Sequence, residues 1–312
     1  MSSPKRRLRA AIAFAGLLLA LPRPAAAGAW VPQPGDHYSI MGGSYFSSDS
    51  YYNSDGQRVP MWSGGQHEEK ALYAYSEFGW KKNRSVVVGF PYVNVSHRLG
   101  ASPDSGRSET GFGDLLFGLR FKLHQRTNAL SFEADWRPPL GYNRNLAPRI
   151  GDGASSVVGK LLFGAPLGVS GFVELEGGYR AYTEKQAPAN QVLIGGTVGI
   201  WMGESWLLAA HQDASLAQAS SGRTYQALYI KTPDGRPWTT SEAAAGTTNS
   251  QVSIQTLGVT LLYRVDQHLD LVAGSTHTLS AMNAAHEDRF YVALAMRQTK
   301  LGPLQGFMGG RR

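Results

Sequence analysis

Apolar and polar residues take turns along much of this chain. From Asp114 to Leu123 the odd positions Leu115, Phe117, Leu119, Phe121 and Leu123 are apolar, and the even ones include Asp114, Gly118, Arg120 and Lys122. Leu130, Phe132, Ala134 and Trp136 alternate with Ser131, Glu133, Asp135 and Arg137. Val173, Leu175, Gly177, Tyr179 and Ala181 alternate with Glu174, Glu176, Gly178 and Arg180. Successive side chains on a strand point to opposite faces. Each segment therefore has one apolar face and one charged face. Helical apolar spacing is hard to find. The period predicts twelve strands, at 37–48, 69–80, 85–98, 112–123, 129–137, 156–166, 171–183, 191–202, 206–218, 251–265, 269–279 and 288–298. Two of them are irregular. The segment 85–98 starts apolar on both faces (Val86, Val87, Val88). In 251–265 the apolar face changes from Val252 and Ile254 to Leu257, Val259 and Leu261, which suggests a bulge.

The connections alternate as well. Asp49–Glu68, Gly100–Gly111, Pro138–Ser155 and Ala219–Ser250 are long. Lys81–Arg84, Gln125–Asn128, Leu167–Ser170, Gly203–Ser205 and Asp266–His268 are tight, and Glu184–Asn190 is intermediate. Tight turns at one end and long loops at the other are the pattern of outer-membrane barrels. In lipid every backbone polar group must be paired, and closing the sheet leaves no edge. The expected fold class is all-β: a single antiparallel transmembrane β-barrel of about 12 strands, roughly 10 to 14. Thr224–Ile230, inside the longest loop, is itself strand-like and sets the upper end. An even count puts both termini on the periplasmic side. After residue 27 no stretch approaches the ~18 apolar residues of a transmembrane helix. A soluble β fold is the competing reading, and the tail Thr299–Arg312 departs from the aromatic ending usual for membrane barrels.

The N-terminus changes how charge is read. Lys5, Arg6, Arg7 and Arg9 precede the apolar run Ala10–Leu21, and Ala25-Ala26-Ala27 follows. This is the layout of a cleaved export signal. The expected organisation is a signal peptide at 1–27 and one barrel domain at 28–312. Cleavage removes five cations (Lys5, Arg6, Arg7, Arg9 and Arg23) and no acid, taking the formal net charge from +7 to +2. No nucleic-acid partner is therefore expected. Cys is absent, which excludes disulfides, thiolate metal sites and Cys nucleophiles.

Several short motifs resemble a known family. They are Glu77-Phe78-Gly79, Thr110-Gly111-Phe112-Gly113-Asp114 followed by Gly118-Leu119-Arg120-Phe121, and the opening Gly28-Ala29-Trp30 with Pro32. These are similar to the outer-membrane barrels grouped as the MetA-pathway of phenol degradation family, often labelled transporter. The resemblance implies an outer-membrane barrel serving as a channel for small organic solutes. It supplies no substrate and no catalytic residues.

If the apolar faces meet lipid, charges collect in the lumen. The expected lumen network is Glu77, Asp114, Arg120, Lys122, Glu133, Asp135, Arg137, Lys160, Glu174, Glu176 and Arg180. Such rows could orient a polar solute at a constriction, or fill the barrel with ion pairs and close it. Enzyme signals are weak. Glu133/Asp135 and Glu174/Glu176 are carboxylate pairs of the kind glycosidases use, but beside Arg and Lys they read as salt-bridged. Asn94, Ser96 and His97, or His211 with Asp213, could be imagined in a lipid hydrolase. His67-Glu68-Glu69 and His286-Glu287-Asp288 could hold a divalent cation but read as solvated loop charges. No catalytic, cofactor or metal residue is expected. The leading function is a channel or transporter for small organic solutes, aromatic ones among them, across the outer membrane. The alternative is a structural or surface-interaction barrel acting through its outer loops, and an outer-membrane lipid hydrolase comes third. Expected partners are outer-membrane lipid and lipopolysaccharide, the solute, and the barrel-insertion machinery.

Overall fold

The structure is a computed structural model, and it describes residues 28–61, 64–98, 106–142, 150–184, 187–218 and 252–298. Residues 1–27, expected as a signal peptide, Thr224–Ile230 and the tail after residue 298 lie outside the described residues. The strands are β1 (His37–Ser48), β2 (Ser50–Tyr52), β3 (Arg58–Pro60), β4 (Gln66–Lys81), β5 (Arg84–Arg98), β6 (Gly106–Phe112), β7 (Leu116–Gln125) and β8 (Ala129–Arg137), followed by β9 (Ser156–Leu167), β10 (Gly171–Tyr182), β11 (Gln191–Met202), β12 (Trp206–Ala217), β13 (Ser253–Arg264), β14 (Leu269–Met282), β15 (Ala284–Ala285) and β16 (Asp288–Gln298). Each long strand pairs antiparallel with its neighbours, and β1 closes the sheet by pairing with both β4 and β16. Twelve staves result, because β6 and β7 share one position beside β5.

That shared stave corrects the sequence reading in two places. Strand β6 begins at Gly106, within the stretch Gly100–Gly111 expected as loop, and pairs with the outer half of β5. The expected single strand 112–123 is broken at Gly113–Leu115. The break lies opposite Pro91, which has no N–H for the ladder; instead Gly113 N donates to the Pro91 carbonyl and Leu115 N to that of Pro138, both at 2.9 Å. The bulge expected in 251–265 is found as a register shift between Gln255 and Thr256. The loop expected at Asp49–Glu68 carries β2 and β3, which with β15 form a separate three-stranded sheet.

The alternation becomes two surfaces. On β16, Phe290 and Val292 are 62% and 64% exposed, while the intervening Ala293 and Ala295 are 7% and 0% exposed. Leu72, Leu161, Leu175, Ile194, Val198 and Ile200 extend the apolar outer belt. A membrane wall needs this inversion, with apolar side chains outside and polar ones inside.

Inside the wall lies a segment the periodicity did not predict. Residues 28–36 precede β1 and enter the lumen from the end bearing the tight turns. Gly35 N donates to the Gly79 carbonyl and Gly79 N to that of Asp36, at 2.8 and 2.9 Å. Further in, Val31 N donates to Gln125 Oε1 at 3.1 Å. Ala29 and Val31 are each only 2% exposed. Ala29 packs with Ala129 and Leu162, and Trp30 lies against them. The wall is shaped to admit this segment. A Cβ at Gly79 would come within 1.9 Å of the Gln33 carbonyl oxygen, and one at Gly164 within 2.3 Å of the Trp30 ring.

Candidate functional site

The register of β4, β5, β7, β8 and β9 sets one charge beside the next. Arg120 lies opposite Ser85 on one side and Glu133 on the other, and Glu133 opposite Lys160. Arg120 Nη1 donates to Glu77 Oε2 at 2.8 Å, and its Nη2 reaches Glu133 at 2.5 Å. Lys160 Nζ meets the other Glu133 oxygen at 2.9 Å and Glu176 at 3.7 Å. Ser85 donates to the second Glu77 oxygen at 2.5 Å. The chain Glu77–Arg120–Glu133–Lys160–Glu176 thus draws on five strands and spans six, with Ser85 of β5 between Glu77 and Arg120. Its core is shut off from water: Glu77, Arg120 and Glu133 are 0%, 4% and 2% exposed.

Arg120 also holds the lumen segment. Its Nη1 donates to the Gly28 carbonyl at 2.6 Å. The Glu174 carboxylate crowds Gly28 so closely that a Cβ there would lie 2.2 Å from Oε1. One guanidinium therefore serves two carboxylates and a backbone carbonyl. Isolated charges in such a site would be costly, and pairing with full hydrogen bonding is what makes burial tolerable.

The other expected lumen residues fall around this centre. Arg137 pairs with Asp135 on its own strand at 3.2 Å. Arg180 also faces inward, nearer the long-loop end, meeting Asp152 at 3.4 Å and Gln191 at 3.2 Å. Asp114 sits in the break between β6 and β7, where it accepts from the Tyr142 hydroxyl at 2.7 Å and from Asp152 N at 2.9 Å. It ties loop residues to the wall and makes no ion pair with the Arg120 group. Lys122 lies opposite Ser131 beside a register shift and has no ion pair among the described residues.

The sequence reading missed further charge groups. Towards the outer end, Arg289 bridges Glu69 at 2.7 Å and Glu287 at 3.1 Å, and lies over the Phe46 ring. Burial pushes the Glu287 carboxyl up, and the Arg289 charge acts against that. At the opposite end Asp270 takes Arg297 at 2.7 Å and Arg264 at 3.5 Å. The signal was present: Arg289, Tyr291, Ala293, Ala295 and Arg297 occupy alternate positions against Phe290, Val292, Leu294 and Met296. His67 and His286, expected as solvated loop residues, are buried at 5% and 4% exposure. The rings of Phe46 and His97 lie against His67, and those of Tyr52 and His277 against His286.

Space remains where the charged strands face β11–β13. A cavity of about 230 Å³ is lined by Arg137, Lys160, Glu176 and Arg180 on one side and by Leu193, Asp213, Ser215, Ile254 and Thr256 on the other. It has room for several waters. A larger groove, about 700 Å³, runs along Tyr45, Leu72, Phe290 and Val292. Its lining is apolar and lies on the outer wall, so it belongs to the lipid-facing surface rather than to the lumen.

No family model matches the chain, and no curated protein matches it. Solved structures do. The chain is similar to the COG4313 outer membrane channel from Pseudomonas putida F1, with 15% identity, 88% of this chain and 99% of that chain covered, and a TM-score of 0.64. The fold is that of an outer-membrane β-barrel. Weaker likenesses reach the translocator domain of the autotransporter NalP from Neisseria meningitidis (10% identity, 95% and 94% covered, TM-score 0.46) and the KdgM porin in complex with disordered oligogalacturonate (8% identity, 84% and 99% covered, TM-score 0.45).

Proposed function

We propose that this protein is an outer-membrane channel for small organic solutes, exported with a cleaved signal at 1–27 and held shut by its own segment 28–36. The observation that carries the reading is the Gly28–Val31 stretch, seated on Arg120 and Gln125 inside a closed barrel. A scaffold barrel needs no such occupant. A channel closed at rest needs one that can leave. The lumen cavity combines three cations, Arg137, Lys160 and Arg180, with Glu176 and Asp213. Rings of side-chain charge select solutes in pores, and this set suits a small solute with a carboxylate or phenolic group. Similarity of fold to a protein described as an outer membrane channel adds support. The motifs around Glu77 and Thr110 support membership of the phenol-degradation-pathway family. Lipid, lipopolysaccharide and the insertion machinery are the partners this location entails.

The test is solute flux through refolded protein in liposomes and planar bilayers. The wild-type chain should pass small aromatic acids slowly, and a variant lacking 28–34 should pass them several-fold faster. Silence from both, with the barrel's heat-modifiable gel mobility intact, would defeat the channel reading. It would leave a barrel acting through Asp49–Glu68 and the small outer sheet as its replacement.

A further inference from the structure

Three metal-ligating side chains meet at the outer end of β14 and β16. His277 and Asp288 are direct partners in the ladder. His277 Nδ1 lies 2.5 Å from one Asp288 oxygen, and His286 Nε2 lies 3.4 Å from the other. The three candidate ligand atoms all fall within 4.8 Å of one another. The two imidazole rings meet edge to face at 5.2 Å.

His286 is the informative member. It is 4% exposed, and its Nε2 faces Asp288 at 3.4 Å without meeting hydrogen-bond geometry. A buried polar atom held only by a long, poorly aligned contact has room for a better partner. The rest of the residue is fixed in place. Tyr52 Oη lies 3.5 Å from Nδ1, and His286 N donates to the Ser50 carbonyl at 3.1 Å. A ligand histidine is ordinarily oriented in this way, through its other ring nitrogen.

We propose that His277, His286 and Asp288 form a binding site for a zinc-class divalent cation. Two imidazoles and one carboxylate suit zinc, nickel or copper(II), whereas calcium and magnesium prefer all-oxygen sets. Bonds of ~2.0–2.1 Å in a tetrahedral site place donor atoms about 3.3 Å apart. The gap between His286 and Asp288 is already that wide, and the one between His277 and Asp288 must open by about 1 Å by that measure. His277 and Asp288 side chains are 56% and 54% exposed, so they can move and water can fill the remaining positions. The bound ion would tie β2, through Ser50 and Tyr52, to the barrel wall. It would thus fasten the small outer sheet to the rim. This site is separate from the lumen and stands whether or not the barrel conducts.

The experiment uses tag-free, refolded, EDTA-treated full-length mature protein titrated with ZnCl2 by calorimetry, and with CoCl2 followed by its visible d–d absorption. One ion should bind per chain, the cobalt spectrum should show imidazole coordination, and excess MgCl2 should not compete. His277→Ala and Asp288→Asn, both at exposed positions, should each weaken binding at least tenfold and leave gel mobility unchanged. Proteolysis of the outer sheet within Asp49–Glu68 should slow when zinc is added to wild type and not when it is added to His277→Ala. If zinc binding is undetectable, or equal in wild type and both variants, the His277–Asp288 contact is an ordinary hydrogen bond and the proposal fails.

Discussion

The lumen has two unlike sides. From β4 to β10 the inward positions carry Glu77, Arg120, Glu133, Asp135, Lys160, Glu174, Glu176 and Arg180, most of them tied in ion pairs. From β11 to β13 the corresponding positions hold Gln191, Leu193, Gly195, Thr197, Gly199, His211, Asp213, Ser215, Thr256, Gly258 and Thr260. The segment 28–36 leans on the first side, where Arg120 and Gln125 receive it. The cavity opens between the two. The charged side works as a clamp, and the sparse side leaves room. One sheet therefore supplies both a seat for this segment and an open cavity, because the inward residues differ from strand to strand.

The largest expected effect is on the clamp itself. Glu133 faces both Arg120 and Lys160. Glu133→Ala leaves a guanidinium and an ammonium without it, and removing one partner of a buried pair costs roughly 3–5 kcal/mol. Heat- or urea-induced loss of the compact gel band measures it. The same change at Glu176, one third exposed and 3.7 Å from Lys160, should cost less than about 1 kcal/mol. Equal costs at the two sites would break the distinction between a dry centre and a wet cavity edge.

Next in size are changes that unseat the segment without touching a charge. Gly79→Ala would place a methyl within 1.9 Å of the Gln33 carbonyl oxygen, and Gly164→Ala would place one within 2.3 Å of Trp30. Both should raise single-channel conductance and leave the barrel folded. Gly177→Ala, where a Cβ meets nothing, is the control and should behave as wild type. Conductance unchanged in the first two would mean that the segment does not block the path.

The smallest effect lies at a turn remote from both sides. Asp266 Oδ1 accepts from His268 N at 2.6 Å and from Leu269 N at 2.9 Å, and these bonds hold its carboxyl below the usual range. A depressed carboxyl adds stability above its unfolded pKa and loses it as pH falls through the folded one. Asp266→Ala should therefore lower the unfolding midpoint slightly at neutral pH. In strong acid, where both forms are protonated, the two proteins should converge. A deficit that persists there would point to the turn's backbone rather than its charge.

Much of this was legible in the sequence, for a physical reason. A membrane barrel imposes period-two alternation, and segments such as 129–137, 191–202 and 288–298 end where the strands end. The charged face of β8 could be read because Phe132 and Trp136 mark its back. The limits are equally physical. Pro91 interrupts a ladder on the neighbouring strand, so the split at Gly113–Leu115 leaves no mark in the local pattern. Asp114 kept its place in the alternation while the backbone beneath it left the stave. The segment 28–36 has no periodicity. Its place depends on Gly79 and Gly164, whose missing side chains read as ordinary barrel glycines until the partner is known.

The most direct test of the account uses the absence of native cysteine. Ala29 and Leu162 pack together inside the barrel. In the double variant Ala29→Cys/Leu162→Cys, oxidation should form a disulfide and hold conductance at or below the wild-type level. Reduction should then restore the wild-type value, and deletion of 28–34 should exceed both. A disulfide that forms in high yield while conductance stays unaltered by oxidation, reduction or deletion would contradict the claim that this segment closes the channel.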